Sequence, residues 1–447
     1  MTLSSADQAQ LQRLQTLVAE CLEEAARQGA SGAEAGLSVE AGLSVTARLG
    51  EVETIEHHRS QGLGVTVYLG QRKGSASTTD FSPKALRETV AAACRIARYA
   101  AEDPYAGLPD PETLATEFPD LDIYYPWEPD TETAIALAIA CENAARGHDR
   151  AITNSEGANL NAFQGFRVMG NSLGFLHGFA SSRHSLSCSV IGERDGEMQR
   201  DDWWTVARDP ADLELPEVVG RKAAERALRR LGARTLSTRQ CPVVFAAEVA
   251  STLLGHFIGA IRGGNLYRKS SFLLDHLGKR VFPGFVQIHE QPHLKKGLGS
   301  VPYDAEGVRT GPHPLVRDGI LESYVLSTYS ARKLGMRTTG NAGGVHNLII
   351  EPGTLDLAGL LRQMDTGLLV TELMGQGVNL VTGDYSRGAA GFWVERGTIQ
   401  YPVEEITIAG NLKEMFQSIL AVGNDVDLRG NTRTGSILIE QMTVAGN

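Results

Sequence analysis

The chain has 447 residues, enough for two or three domains with a sizeable core, and 42% hydrophobic against 21% charged residues is the balance of an ordinary globular protein. A net charge of −11 argues against wholesale binding to a nucleic-acid backbone, and no run of about 18 apolar residues is present to span a membrane. Forty-nine glycines and only 6% aromatics point to many tight turns and a β-rich part.

The opening MTLSSADQAQLQRLQ has neither a basic start nor an apolar core, so a signal peptide is not expected. Leu11, Leu14, Val18, Cys21 and Ala25 recur at steps of three or four and predict a helix from Ser4 or Ser5 to about Gln28. Three strand-like runs follow. The first holds a tandem EAGLSV, at 34–39 and 40–45, read as a local duplication; the others are VETIEH (52–57) and GLGVTVYLG (62–70). Ser82-Pro83 opens a second helix with a favoured cap and a first-turn proline, running to about Ala101. An Asp- and Pro-rich stretch from Asp103 to Asp130 reads as a linker, and a helix is expected over 131–146. Strands and turns fill 151–206, and a further helix spans about 210–231 with Gly232 as its stop. Beyond Cys241-Pro242 the pattern becomes short strands and Gly/Asn turns with two or three helices. The expected fold is therefore α+β: an N-terminal helix and antiparallel-sheet part (1–120), a middle α+β region (121–235) and a β-rich C-terminal domain (236–447).

Within 256–340, twelve Lys/Arg stand against six Asp/Glu, leaving the rest of the chain at −17. That is either a solvated surface or a face meeting an acidic partner or peptide. Five widely spaced cysteines without a CxxC fit reduced thiols in a cytoplasm better than disulfides or a cysteine-rich zinc site.

Two motifs look catalytic. His289-Glu290-Gln291-Pro292-His293 matches H-E-x-x-H, which works when both histidines share one helix face. Pro292 inside the would-be helix costs about 3 kcal/mol, and FVQI before it and LKKG after it read as strand and loop. The expectation is a strand end bearing two exposed histidines. Gly170-Asn171-Ser172-Leu173-Gly174 matches G-x-S-x-G, but a strand follows where a nucleophile elbow needs a helix, so a hairpin turn is expected.

The segments 253–282 (LLGHFIGAIRGGNLYRKSSFLLDHLGKRVF), 302–310 (PYDAEGVRT), 326–344 (LSTYSARKLGMRTTGNAGG) and 383–412, with others along nearly the whole chain, resemble the PmbA/TldD family. The likeness is nearer its PmbA (TldE) branch than its TldD branch. The resemblance implies a subunit of a heterodimeric cytoplasmic TldD–TldE metalloprotease, enclosing a chamber in which unstructured peptides such as peptide precursors and an antitoxin are cut. The family's older label, modulator of DNA gyrase, would reflect such substrates and not DNA binding. TldD-like members carry H-E-x-x-x-H on a helix and a later cysteine ligand. With His256 as the first ligand, Phe257 and Ile261 stand in the other two places; one residue earlier, His256 and Ala260 do; and no cysteine follows Cys241. The resemblance therefore implies no catalytic or metal-ligating residue in this chain, no cofactor of its own, and zinc in a TldD-like partner. Glycine and charge placement nominate His256, Arg262, Asn265, Arg268 and Lys269 as contacts to peptide or partner. Self-pairing as a homodimer without the partner stays open. So do two alternatives: a stand-alone zinc peptidase using His289, Glu290 and His293, and a self-associating binding protein without proteolysis.

Overall fold

The structure is a computed structural model describing residues 3–446. Helix α1 (Ser5–Arg27) starts where Ser4 accepts from the Asp7 amide and Asp7 answers the Ser4 amide. Strands β1 (Gly32–Arg48), β2 (Glu51–Leu69) and β3 (Arg72–Thr78) follow, then α2 (Pro83–Tyr99), capped by Ser82. Next come α3 (Thr131–Arg146), β4 (Ile152–Asn171), β5 (Leu176–Arg194), β6 (Glu197–Ala207) and α4 (Pro216–Arg229).

The six strands form one antiparallel sheet in the order β3-β2-β1-β4-β5-β6, so β1 joins β4 directly and the sheet continues across residue 120. The side-chain period of two sorts its faces. Leu37, Leu63, Val65 and Val168 point to one face and are buried under α1 and α2. Val45, Leu160, Leu186 and Val190 continue that face beneath α3 and α4. All four helices thus cover a single face, and the other stays free of helices.

The C-terminal part holds β7 (Arg239–Phe245), α5 (Ala247–Ile261), α6 (Gly263–Tyr267), β8 (Ile288–Glu290), β9 (His313–Arg317), β10 (Ile320–Leu321), α7 (Thr328–Leu334), β11 (Leu348–Ile350) and α8 (Leu357–Met364). It ends with β12 (Gly367–Met374), β13 (Asp384–Glu395), β14 (Thr398–Asn411), α9 (Leu412–Gln417), β15 (Ile419–Val422), β16 (Thr432–Arg433) and β17 (Ile437–Ala445). Its larger sheet runs β14-β13-β12-β7-β17-β15, and a β14–β17 pairing closes five of these strands into a ring. Helix α5 packs into the core beside it through Leu253, Leu254, Phe257, Ala260 and Ile261. A smaller sheet runs β10-β9-β8-β11-β16.

The α+β expectation is met, with local differences. The runs at 52–57 and 62–70 are one strand, β2. The helix expected over 210–231 starts only at Pro216, because Pro210–Asp212 makes a separate 3-10 turn and Leu215 is extended before the proline. Among the described residues, no helix is long and apolar enough to cross a membrane.

Candidate functional site

A cleft of about 1280 Å³ lies between the helix-free face of the first sheet and the C-terminal part. It exceeds the roughly 300–1,000 Å³ of small-molecule pockets, which leaves room for a length of chain. Where β1 meets β2 its floor is nearly bare backbone. Gly36 pairs with Gly64, and Ser38 with both Gly62 and Arg167. A Cβ added at Gly36, Gly62 or Gly64 would meet nothing within 4 Å, so packing does not demand these glycines. Glycine weakens a strand by roughly 0.5–1 kcal/mol, and a group of them facing a cleft marks a surface for close approach.

Residues 298–305 and 342–346 face this floor from the C-terminal part. Asp304 shapes the first segment: its carboxylate accepts from the Glu306 and Val308 amides, and from Ala342 in the second segment, each at 2.9 Å. Burial pushes that carboxyl up to about 7 against those bonds. Tyr303 donates to the His177 carbonyl at 2.9 Å, tying the segment to β5. Arg208, just after β6, fastens both sides: it donates to the Ser182 carbonyl at 2.8 Å and the Leu298 carbonyl at 2.7 Å. Arg167 and Arg183 extend from β4 and β5 into the cleft and are exposed. Burial, then the nearby Arg183 and Arg167, pulls the Arg208 guanidinium down to about 10.

The H-E-x-x-H segment is not helical. Strand β8 sends His289 outward to Glu351, 3.3 Å away, and turns Glu290 inward, where it is 1% exposed. His293, past Pro292, meets the Thr310 hydroxyl at 3.0 Å. Both histidines are half-buried, not exposed as the sequence suggested: β8 is an inner strand between β9 and β11, and His293 lies near His346. What gathers at Glu290 comes from elsewhere. Asn341 donates to both carboxylate oxygens at 3.0 and 2.8 Å, the His346 amide donates to one, and the His313 ring lies 3.5 Å from the other. Burial pushes Glu290 up to about 7. Burial, then His293 and His313, pulls the His346 ring down to about 4. Among the described residues, no three His, Cys, Asp or Glu side chains are placed to hold a metal ion. The G-x-S-x-G segment is the β4–β5 hairpin turn, as expected.

The five nominated contacts lie together at the α5–α6 corner, and none lines the cleft. His256 sits on α5 with its Nε2 buried and unpartnered, its ring centroid 6.0 Å from that of Tyr385. Burial and then the Arg387 cation lower its basicity. Asn265 turns back to donate to the Gly259 carbonyl at 2.7 Å. Arg268 lies over Tyr267, and Arg262, Arg268 and Lys269 are exposed. The cleft residues were missed because a β-strand arginine has no local signature; the glycines at alternate positions 36, 62 and 64 were the available hint.

Comparison with known proteins places this geometry. The PmbA/TldA metallopeptidase domain 1 matches residues 33–97, the central domain 124–231 and the C-terminal domain 238–446. The metalloprotease PmbA of Escherichia coli O157:H7 is 52% identical over 446 residues, covering 100% of this chain and 99% of that protein. A crystal structure from Bacteroides thetaiotaomicron, described as a modulator of DNA gyrase, superposes with a TM-score of 0.91 at 29% identity, over 97% of this chain and 98% of that one. TldE from Thermococcus kodakarensis shares the fold, with a TM-score of 0.83 at 18% identity over 96% of this chain and 100% of that one. On matches that span nearly its whole length, this chain belongs to the PmbA/TldD metallopeptidase family.

Proposed function

We propose that this chain is the PmbA (TldE)-like subunit of a cytoplasmic TldD–TldE-type metalloprotease: it holds unstructured peptide, while a TldD-like partner supplies the zinc and the cleaving chemistry. Helix α5 carries the reading. A hydrolytic zinc needs several donors and a general base converging on one point. Here α5 offers one imidazole, His256, with the Arg387 cation beside it. Phe257 and Ile261 are fully buried; the Phe257 ring meets that of Phe282 edge-on at 5.1 Å. These residues do not fit a metal, and no step of hydrolysis is assigned to them. The bare-backbone cleft supports a peptide-holding role, and Arg262, Arg268 and Lys269 are exposed and open to peptide or partner. All five cysteines are free and buried, which suits a reducing compartment.

Purified alone, the chain is expected to hold far less than one equivalent of zinc and to cut no unstructured peptide. Mixed with a TldD-like subunit it should support cleavage, which disappears when that subunit's helix glutamate is replaced. Peptidase activity from this chain by itself would overturn the reading. One observation favours the stand-alone zinc peptidase: imidazoles collect around Glu290. Stoichiometric zinc that is lost on His293→Ala would establish it.

A further inference from the structure

We propose that the cleft takes peptide by its carboxylates, with Arg167 and Arg183 as the groups that receive them. Three guanidinium groups line it, from Arg167, Arg183 and Arg208, together with two carboxyls, Glu40 and Asp304. Neither carboxyl answers the arginines. Asp304 is committed to three backbone amides, and Glu40 is exposed with no ion pair within 4 Å among the described residues. Arg208 is held by carbonyl oxygens alone, so its bonds fix it in place without neutralising it. Arg167 and Arg183 have no hydrogen-bond or ion-pair partner among the described residues.

The register puts both on the cleft side. Phe163 lies opposite Arg183, and Arg167 four residues further along β4 lies opposite Phe179, so all four share the face that period-two alternation turns away from α1–α4. The spacing of about 13 Å along the strands matches roughly four residues of extended chain, so one extended segment can reach both. Burial lowers the basicity of Arg208, and the nearby Arg183 and Arg167 lower it further. An anion arriving between them relieves that repulsion and accepts forked, charge-assisted bonds. The glycine floor lets the backbone of an extended segment approach while its acidic groups reach the arginines. The −11 charge of the whole chain makes an uncompensated cationic cleft a local exception and not a reflection of composition.

This inference rests on the reading of the chain as a peptide-holding subunit and names its substrate class: peptides bearing carboxylates, whether from Asp and Glu side chains or from the C-terminus. The test is fluorescence anisotropy with the full-length protein and three labelled twelve-residue Gly/Ser/Ala peptides: one with four Asp, its Asn counterpart, and the Asp peptide with an amidated C-terminus. Wild type should bind the Asp peptide about tenfold more tightly than the counterpart lacking the recognised carboxylate, the Asn peptide for side chains or the amidated peptide for the terminus. The preference should fall with added salt and disappear in the Arg167→Gln/Arg183→Gln double variant. Both side chains are exposed and unpartnered, so the fold should survive, and far-ultraviolet circular dichroism verifies it. Loss of binding on amidation assigns the site to the terminal carboxylate; retention assigns it to side chains. Equal binding of all three peptides, or a preference that survives in the double variant, sinks the carboxylate inference and leaves peptide holding intact. Failure of wild type to bind any of the three overturns both.

Discussion

The two glycines of the duplicated EAGLSV motif share a face of β1 and answer to different constraints. At Gly42 an added Cβ would come within 2.5 Å of the Ala162 carbonyl and closer still to the Phe163 ring, which crosses the glycine to meet His58 at 5.3 Å. At Gly36 it would meet nothing. In urea unfolding, Gly42→Ala should therefore cost about 2 kcal/mol, while Gly36→Ala should be neutral or stabilise by up to about 1 kcal/mol. Equal effects would show that the cleft glycine is also required by packing. Glu290 allows a second test at this scale. The groups facing it are the Asn341 amide, the His346 backbone amide and the His313 ring, and the His346 ring feels His293 and His313 in turn. Burial pushes its folded pKa up to about 7, above the ordinary carboxyl value of 4.5. Its contribution is therefore complete below about 4.5 and is lost as pH rises through 7. His346, pulled down to about 4 from 6.5, does the reverse and loses its contribution as pH falls. The two slopes oppose each other across the shared window. Glu290→Gln removes only the first, so the wild-type-minus-variant stability should fall by on the order of 3 kcal/mol between pH 4.5 and 7. A flat difference curve would contradict this.

Elements with a local cause were readable in advance, and those with a distant cause were not. Ser4, Ser82-Pro83 and Asp130 cap helices from their own side chains, and α3 spans the expected residues 131–146. Helix α5 has Ala246 at its N-cap and no side-chain cap; the Ala247 amide is met instead by Ser436, 189 positions away. No sequence window contains that bond. Strand β2 looked like two runs because no apolar residue stands between Ile55 and Leu63; residues 51–60 are exposed apart from the half-buried His58, β3 pairs only from Leu63 onward, and β1 alone holds the remainder. The α+β class, the hairpin at 171–174 and the non-helical character of 289–293 all followed from turn and proline chemistry. The cleft did not, since β1, β2, β4, β5 and two loops more than a hundred residues later each supply a few of its residues.

Across the whole molecule, one ion network joins the first sheet to the C-terminal part and keeps the cleft's two sides in place. Arg226 on α4 reaches Asp201 on β6 at 3.0 Å and both oxygens of Glu248, in the first turn of α5, at 2.9 Å. Arg230 reaches Glu372 on β12 at 2.6 Å, and Arg429 stacks 3.8 Å from the Trp203 ring. Arg226 and Asp201 side chains are only 16% and 7% exposed, so removing the cation strands buried negative charge. Such losses typically cost 3–5 kcal/mol, and Arg230 and Arg429 remain nearby, so Arg226→Ala should cost about 3 kcal/mol. Glu248→Gln made alone should also destabilise. Together the two changes should cost less than their sum by at least about 1 kcal/mol, because the second removes a charge the first left unpaired. The double-mutant cycle is read by urea unfolding monitored at tryptophan, since Trp203 and Trp204 both lie under Arg429. Additivity within about 0.5 kcal/mol would mean that the two halves are held by packing and that the network only decorates their junction. Coupling of the expected size would make Arg226 a joint between the sheet that floors the cleft and helix α5 in the core of the C-terminal part.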